Sequence, residues 1–418
     1  MENAQKSVGN HLNSKAIEFD VFNETQRIKE IQKADIVVSM LPARFHIEVA
    51  KNCIEFEKHL VTASYVSDEM KKLDRLAKEK GLVFMNEIGL DPGIDHMSAM
   101  DVIHRISDQG AKILLFESFT GGLVAPESDN NLWNYKFTWN PRNVVLAGQG
   151  GAAMFIQEGT YKYIPYHKLF RRTEFLTLDD QKFEAYANRD SLKYRSIYGL
   201  ENISTMYRGT IRKVGFSKAW NIFVQLGMTD DSYTIEGSEH MSYRDFVNLF
   251  LAYSPSDSVE LKLRSYLKID QDDVMWDKLV ELDLFSSTKK VGMANATPAQ
   301  ILQKILSDSW TLQENDKDMI VMHHKFGYEI NGEKHQIESS LMVKGENQTF
   351  TAMAKTVGLP VAIATLKILN KEITTPGVQI PITKEVYGPI LNELEEYGIV
   401  FNEKKVPYLG YNPDNVNG

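Results

Sequence analysis

Four short apolar segments near the start of the chain constrain its fold most. They are Ala16–Phe19, Ile36–Met40, Leu60–Thr62 and Leu82–Met85. Each is too short for a buried helix and reads as a buried strand. Helical stretches with start and stop signals lie between them: Asn23 precedes Glu24 to Lys33, Pro42 opens Ala43 to Phe56, and Ser67 precedes Asp68 to Lys80, which Gly81 stops. Strand alternating with helix is the signature of a parallel sheet covered by helices, an α/β fold. Ligands of such sheets sit outside the carboxyl ends of the strands. The residues there are Asp20, Ser39 to Pro42, Thr62 to Tyr65 and Glu87 to Gly93. Polar, tight turns are common in any protein, but four at the same end of one sheet favour a site.

A dinucleotide-binding sheet opens with a strand, a G-x-G-x-x-G turn and a helix, because backbone amides must approach the pyrophosphate. Here the first glycine is Gly9 and the next is Gly81. The segment Glu2 to Val8 with Gly9 and Asn10 reads as the last turn of a helix. The expectation is an N-terminally incomplete Rossmann sheet, starting one strand-helix-strand unit late. Gly148-Gln-Gly-Gly-Ala-Ala153 fits G-x-G-x-x-A, but Gly159 and Pro165 interrupt the helix that should follow, so it is read as a decoy.

The charge balance is 47 basic against 56 acidic residues, a net of -9, which opposes binding to nucleic acid or an anionic membrane. The single cysteine, Cys53, excludes an intrachain disulfide and a cysteine-rich zinc site, and places the protein in a reducing compartment, the cytoplasm. In its apolar helical pattern it reads as core. Met1 to His11 has no apolar signal region, and runs such as Ile36 to Leu41 fall far short of the ~20 residues of a spanning helix. No metal is expected. Asp95 and His96, near Asp91, read as a helix start, and His323 and His324 point to opposite faces of a strand.

Beyond His96 the pattern changes. Ile113 to Thr120 is a strand followed by Gly121-Gly122, and strand-like runs continue to Gly215. Helical periodicity takes over from Ser238 to Leu284. Met319 to Met322 and Ser340 to Val343 flank Asn331-Gly332, a strong hairpin signal. Thr349 to Leu369 reads as an apolar helix returning to the first domain. The expected division is 1–95 with 349–418 as the incomplete dinucleotide-binding domain, 96–237 with 290–348 as an α/β substrate domain, and 238–289 as a small all-helical insert.

The block Met85-Asn-Glu-Ile-Gly-Leu-Asp-Pro-Gly-Ile-Asp-His96, preceded by Val61-Thr-Ala-Ser-Tyr65 and Ser39-Met-Leu-Pro42, resembles the saccharopine reductases, the glutamate-forming, NADP-dependent saccharopine dehydrogenases. The resemblance continues through Gly121 to Glu127, Tyr135 to Trp139, Asn188 to Ser191 and Tyr207 to Thr210. It implies a Rossmann domain, an α/β substrate domain and a helical part. The implied activity is reduction of the imine of 2-aminoadipate 6-semialdehyde and L-glutamate to saccharopine with NADPH, or the reverse oxidation. Asp91 and Tyr65 are the implied catalytic residues; Ser64, Tyr65, Asp91, Arg189, Arg208, Gly209 and Thr210 are the implied substrate contacts. The cofactor, NADP, is expected along Asp20, Met40, Leu41, Pro42, Ala43, Ala63, Ser64, Leu90, Pro92, Trp139 and Asn140. A carboxyl group such as that of Asp91 can move a proton at the reacting nitrogen or water; it can also cap the helix after Pro92. Arginine matches a planar carboxylate with two parallel charge-assisted bonds. Family members often carry a cysteine before the paired glycines, where this chain has Thr120, so a thiol is not required here. Two alternatives stay open: a related imine reductase such as a carboxynorspermidine dehydrogenase, and a substrate-binding protein without redox turnover. Partners are small amino-acid substrates, with a homodimer also possible.

Overall fold

The structure, a computed structural model, describes residues 2–417. It divides into two compact units, Met1–Ser98 with Val357–Leu394, and Ala99–Thr356 with Glu395–Gly418.

The first unit is built on a parallel sheet in the order Ile36–Val38, His59–Val61, Val83–Met85, Gly377–Gln379. Its helices start where capping side chains stand. Asn23 accepts the amide of Gln26 at 3.0 Å ahead of the helix Glu24–Gln32, and Ser67 accepts that of Met70 at 3.1 Å ahead of Asp68–Lys72. Ile31, Val49, Ala50, Cys53, Leu60, Met70 and Phe84 close the core between helices and sheet. Burying a side chain of this size contributes about 1.5–3 kcal/mol. Burial pushes the Cys53 thiol up to about 12, which leaves it inert at neutral pH.

Two sequence expectations are corrected here. Ala16–Phe19 is not a strand; among the described residues no strand pairs with it, and Ile17 and Phe19 are exposed. An extended segment holds strand geometry only where a neighbour takes its backbone groups. The fourth strand is instead Gly377–Gln379, paired in parallel with Val83–Met85.

The second unit carries a ten-stranded sheet in which most pairs are antiparallel and Lys112–Val124 runs parallel to Thr205–Lys213. The Asn331-Gly332 hairpin forms as expected: both residues have positive φ, 53° and 83°, and Asp318–Ile330 pairs with Glu333–Lys344 along its length. Aromatic rings fill the core, with Trp133 and Trp310 centroids 5.2 Å apart and Phe216 stacked on Trp220 at 5.7 Å. Phe246, Leu263, Trp276 and Leu279 from the helical segment 238–289 join this same cluster, so the segment shares the unit's core. Residues 395–418, which the sequence reading returns to the first domain, belong to the second unit because Asn402–Val406 pairs with Glu333–Lys344. Among the described residues one helix, Ala352–Leu369, has the length and hydropathy to cross a membrane, a candidate that inspection of apolar runs overlooks. Its Val361, Ile363, Ala364 and Ile368 are buried within the chain.

Candidate active site

In the first unit the sheet brings three of the inspected turns side by side. Ser39 follows Ile36–Val38, and its amide donates to the Val61 carbonyl at 2.9 Å; the Thr62 amide donates to the Met85 carbonyl at 2.9 Å. The next turn runs from Glu87 to Gly93. Asp91 and Pro92 are joined by a cis bond, and the Gly89 amide donates to the Pro92 carbonyl at 2.9 Å while that of Ile94 donates to the Gly89 carbonyl at 2.9 Å. The helix Ile94–Ser107 starts there. The Gly93 amide donates to Asp95 Oδ1 at 2.6 Å, so Asp95 serves the helix start. Asp91 Oδ1 accepts the Tyr65 hydroxyl at 3.2 Å.

Glu87 braces this turn. It is buried with φ at 53°, its Oε1 accepts the Val66 amide at 3.0 Å and its Oε2 lies 2.8 Å from Nε2 of the buried His96. A positive φ is uncommon for any residue but glycine, and here these contacts hold it. Gly93, at φ +146°, is required: a Cβ there would stand 2.1 Å from the Gly89 carbonyl oxygen. Gly93→Ala is expected to destabilise the chain by at least about 2 kcal/mol, from strain and clash together. Urea unfolding at neutral pH measures this; an unchanged midpoint would contradict it.

Of the residues expected along the cofactor, Ala63, Ser64, Leu90 and Pro92 lie in these turns, with Leu90 and Pro92 buried and Ser64 half-buried. Met40 is 60% exposed, Leu41 is half-buried, and Pro42 and Ala43 enter the short helix Ala43–Phe45 that leads into His46–Glu55. Neither Pro42 nor Phe45 caps that entry with a side chain. Its leading amides and the half-buried Ser64 hydroxyl form a donor set that suits the anionic and hydroxyl oxygens of a dinucleotide. Asp20 stands apart from a strand end, since Ala16–Phe19 is coil. It is exposed in the turn before Glu24–Gln32, where its Oδ1 accepts the Phe22 amide at 3.0 Å.

The second unit joins the two arginine blocks. The Asn188 amide donates to the Arg208 carbonyl at 2.8 Å, and the Arg208 amide donates to Ser191 Oγ at 3.0 Å. Arg189, exposed and at φ 45°, is fixed by the Met154 amide donating to its carbonyl at 2.8 Å. Arg208 is buried with its guanidinium 4.3 Å from the Tyr194 ring centroid, a cation–π contact that orients the fork. Gly209 has a packing reason: a Cβ would come 2.6 Å from the Phe119 ring and 2.9 Å from the Tyr186 carbonyl oxygen. Thr210 pairs with Thr120 across parallel strands. Trp139 is 44% exposed, and Asn140 caps Pro141–Val145 by accepting the Arg142 amide at 3.0 Å.

Sequence reasoning passed over His46, Glu87 and the role of Ser39. His46 bridges Ser39 Oγ and Ser64 Oγ at 2.8 Å each. The only available signal was its place just after Pro42, within reach of two polar strand ends. The Gly148–Ala153 pattern is the decoy it was read to be: a short helix, Pro141–Val145, precedes it, and the hairpin strand Ala153–Gln157 follows. Among the described residues no group of three or more His, Cys, Asp or Glu side chains is placed to hold a metal ion.

Residues 1–85 match the family model described as the saccharopine dehydrogenase NADP binding domain, and residues 89–399 match that described as the saccharopine dehydrogenase C-terminal domain. The chain is 33% identical to the saccharopine dehydrogenase (NADP(+), L-glutamate-forming) of Schizosaccharomyces pombe, covering 97% of this chain and 91% of that protein. It is 36% identical to the mitochondrial alpha-aminoadipic semialdehyde synthase of Rattus norvegicus over 89% of this chain, but spans only 41% of that longer protein. The solved structure of apo saccharopine dehydrogenase (L-Glu forming) from Saccharomyces cerevisiae superposes with a TM-score of 0.87 at 33% identity, covering 97% of this chain and 92% of that one. These matches, together with a parallel nucleotide-type sheet that carries the Asp91 turn, make the chain a member of the saccharopine dehydrogenase family.

Proposed function

We propose that this chain oxidises saccharopine to L-glutamate and 2-aminoadipate 6-semialdehyde, and runs the reverse imine reduction. Saccharopine, NADP⁺ and water give the two products, NADPH and a proton. Because the nitrogen stays with glutamate, the carbon that loses hydride is the one on the aminoadipate side of the secondary amine. The bond between Tyr65 and Asp91, 3.2 Å at adjoining turns of a family-matched sheet, is the observation that carries this proposal.

The residues supply the rest of the chemistry. In the oxidative direction Asp91 accepts the proton of the water that attacks the imine carbon; in reverse it delivers one to nitrogen. The Tyr65 hydroxyl fixes the carboxylate oxygen that does this. NADP, held along the donor set of Ser64 and the Ala43–Phe45 entry, would accept or supply the hydride when bound. Saccharopine carries three carboxylates, and Arg208 suits one of them because its fork is pre-oriented over Tyr194. Exposed Arg189 is assigned a second carboxylate.

Arg208→Lys is expected to raise KM for saccharopine about tenfold, the loss of one of two charge-assisted bonds, and to leave KM for NADP within about twofold. Equal effects on both would argue against a carboxylate clamp. The proposal itself is tested by product identification with the purified chain, NADP and either saccharopine or carboxynorspermidine. Glutamate and the semialdehyde from saccharopine are the expected products, and preference for the diamine-derived substrate would overturn the assignment. The proposed setting is the cytoplasm, with soluble amino acids as partners and with the net charge of -9 opposing nucleic acid.

A further inference from the structure

The imidazole of His46 lies between two strand-end hydroxyls, with Nδ1 2.8 Å from Ser39 Oγ and Nε2 2.8 Å from Ser64 Oγ. Ser39 is 3% exposed and His46 4% exposed, while Ser64 is half-buried. Burial holds the His46 imidazole below the ordinary histidine range, so the ring is neutral at pH 7. A neutral imidazole has one N–H and one lone pair in its plane. One serine must therefore donate to the ring while the other accepts from it.

Burial decides which. Ser39 Oγ has no side-chain partner other than His46 among the described residues. Were Nδ1 to carry the proton, the Ser39 hydroxyl hydrogen would be buried without an acceptor, an arrangement that costs about 1–3 kcal/mol. With Ser39 donating to Nδ1, Nε2–H faces Ser64 Oγ at 2.8 Å, its nearer partner, with Thr62 Oγ1 further off at 3.5 Å. The Ser64 amide is also tied, donating to Thr62 Oγ1 at 3.2 Å. Thr62 is buried, so the hydroxyl hydrogen of half-buried Ser64 is the one in the row that can reach a ligand.

We infer that His46 is a positioning residue that makes Ser64 an obligate hydrogen-bond donor to an anionic oxygen of the bound ligand, either a dinucleotide phosphate or an amino-acid carboxylate. The inference rests on the proposed role of Ser64 as a ligand contact.

Two measurements test it. Nitrogen-15 NMR of the histidine-labelled chain, with the His46 signals assigned by their loss in His46→Phe, should show Nε2 protonated and Nδ1 bare at pH 7; a protonated Nδ1 would overturn the inference. The second is a double-mutant cycle read by the Kd for NADPH and the KM for saccharopine. Ser64→Ala should weaken one of them about tenfold, NADPH if the acceptor is a phosphate and saccharopine if it is a carboxylate. His46→Phe should weaken the same constant, the pair should be no worse than Ser64→Ala alone, and His46→Gln, which keeps a donor and an acceptor, should restore it to within about threefold. Full additivity of the two substitutions would overturn the inference and leave the Ser64 contact standing. Unchanged constants in Ser64→Ala would remove the contact itself, and the inference with it.

Discussion

Asp91→Asn is expected to lower kcat for saccharopine oxidation by about two to four orders of magnitude, the usual worth of a positioned general acid–base, while the fold stays intact. The amide keeps the shape of the carboxylate and an oxygen to accept the Tyr65 hydroxyl, which now reaches Oδ1 at 3.2 Å. Backbone bonds from Gly89 and Ile94 and the Asp95 carboxylate at the Gly93 amide hold the turn. What the amide lacks is a basic oxygen to take the proton of water. Steady-state rates and a thermal melt on the same preparation separate the outcomes. Turnover unchanged would remove Asp91 from the chemistry, and a collapsed melting temperature would make its role structural.

The second large effect concerns stability. Glu174, on the strand Thr173–Leu178, is 7% exposed, and its Oε1 has no hydrogen-bond partner among the described residues. Burial, and then the charge of Glu117, push its carboxyl up to about 8 from the ordinary 4.5. Glu117 is itself engaged by Lys325, whose Nζ is 2.7 Å from Oε2. Between pH 4.5 and 8 the folded chain holds a proton on Glu174 that the unfolded chain has lost, so this group makes stability fall as pH rises through that window. Glu174→Gln mimics the protonated form at every pH. It is expected to stabilise the chain by roughly 4 kcal/mol at pH 8 and by nearly nothing at pH 4.5, at about 1.4 kcal/mol per pH unit.

His323 acts in the opposite direction. Burial first, then Lys325, push its imidazole down to about 3 from 6.5, so its contribution is present above pH 6.5 and is lost as pH falls towards 3. The two slopes cancel between 4.5 and 6.5, where the unsubstituted chain should be most stable. Urea unfolding of both forms at pH 5 and pH 8 checks this. A variant no more stable than the parent at pH 8 would contradict the burial account of Glu174.

What was legible in the sequence was whatever a local rule writes. Asn23 and Ser67 cap their helices, Asn331-Gly332 turns its hairpin, and Glu87 to His96 marks the turn that presents Asp91. What was not legible depends on partners distant along the chain. Gly377–Gln379 is three residues with no periodicity and becomes a strand because Val83–Met85 offers an edge; Ala16–Phe19 has the apolar pattern and no neighbour. Asn402–Val406 is polar and mostly exposed, yet pairs with Glu333–Lys344. His46 looked like any histidine near a helix start until two strand ends met around it, and Glu174 alternates along its strand like a surface residue until the sheet covers it.

The account turns on hydride leaving the aminoadipate-side carbon of saccharopine for NADP at this site. Saccharopine carrying deuterium on that carbon, turned over by the purified chain with NADP and followed by mass spectrometry of the nucleotide, tests this directly. The expected result is deuterium in NADPH with one glutamate released per label transferred. Unlabelled nucleotide, or glutamate released without NADPH, would contradict it.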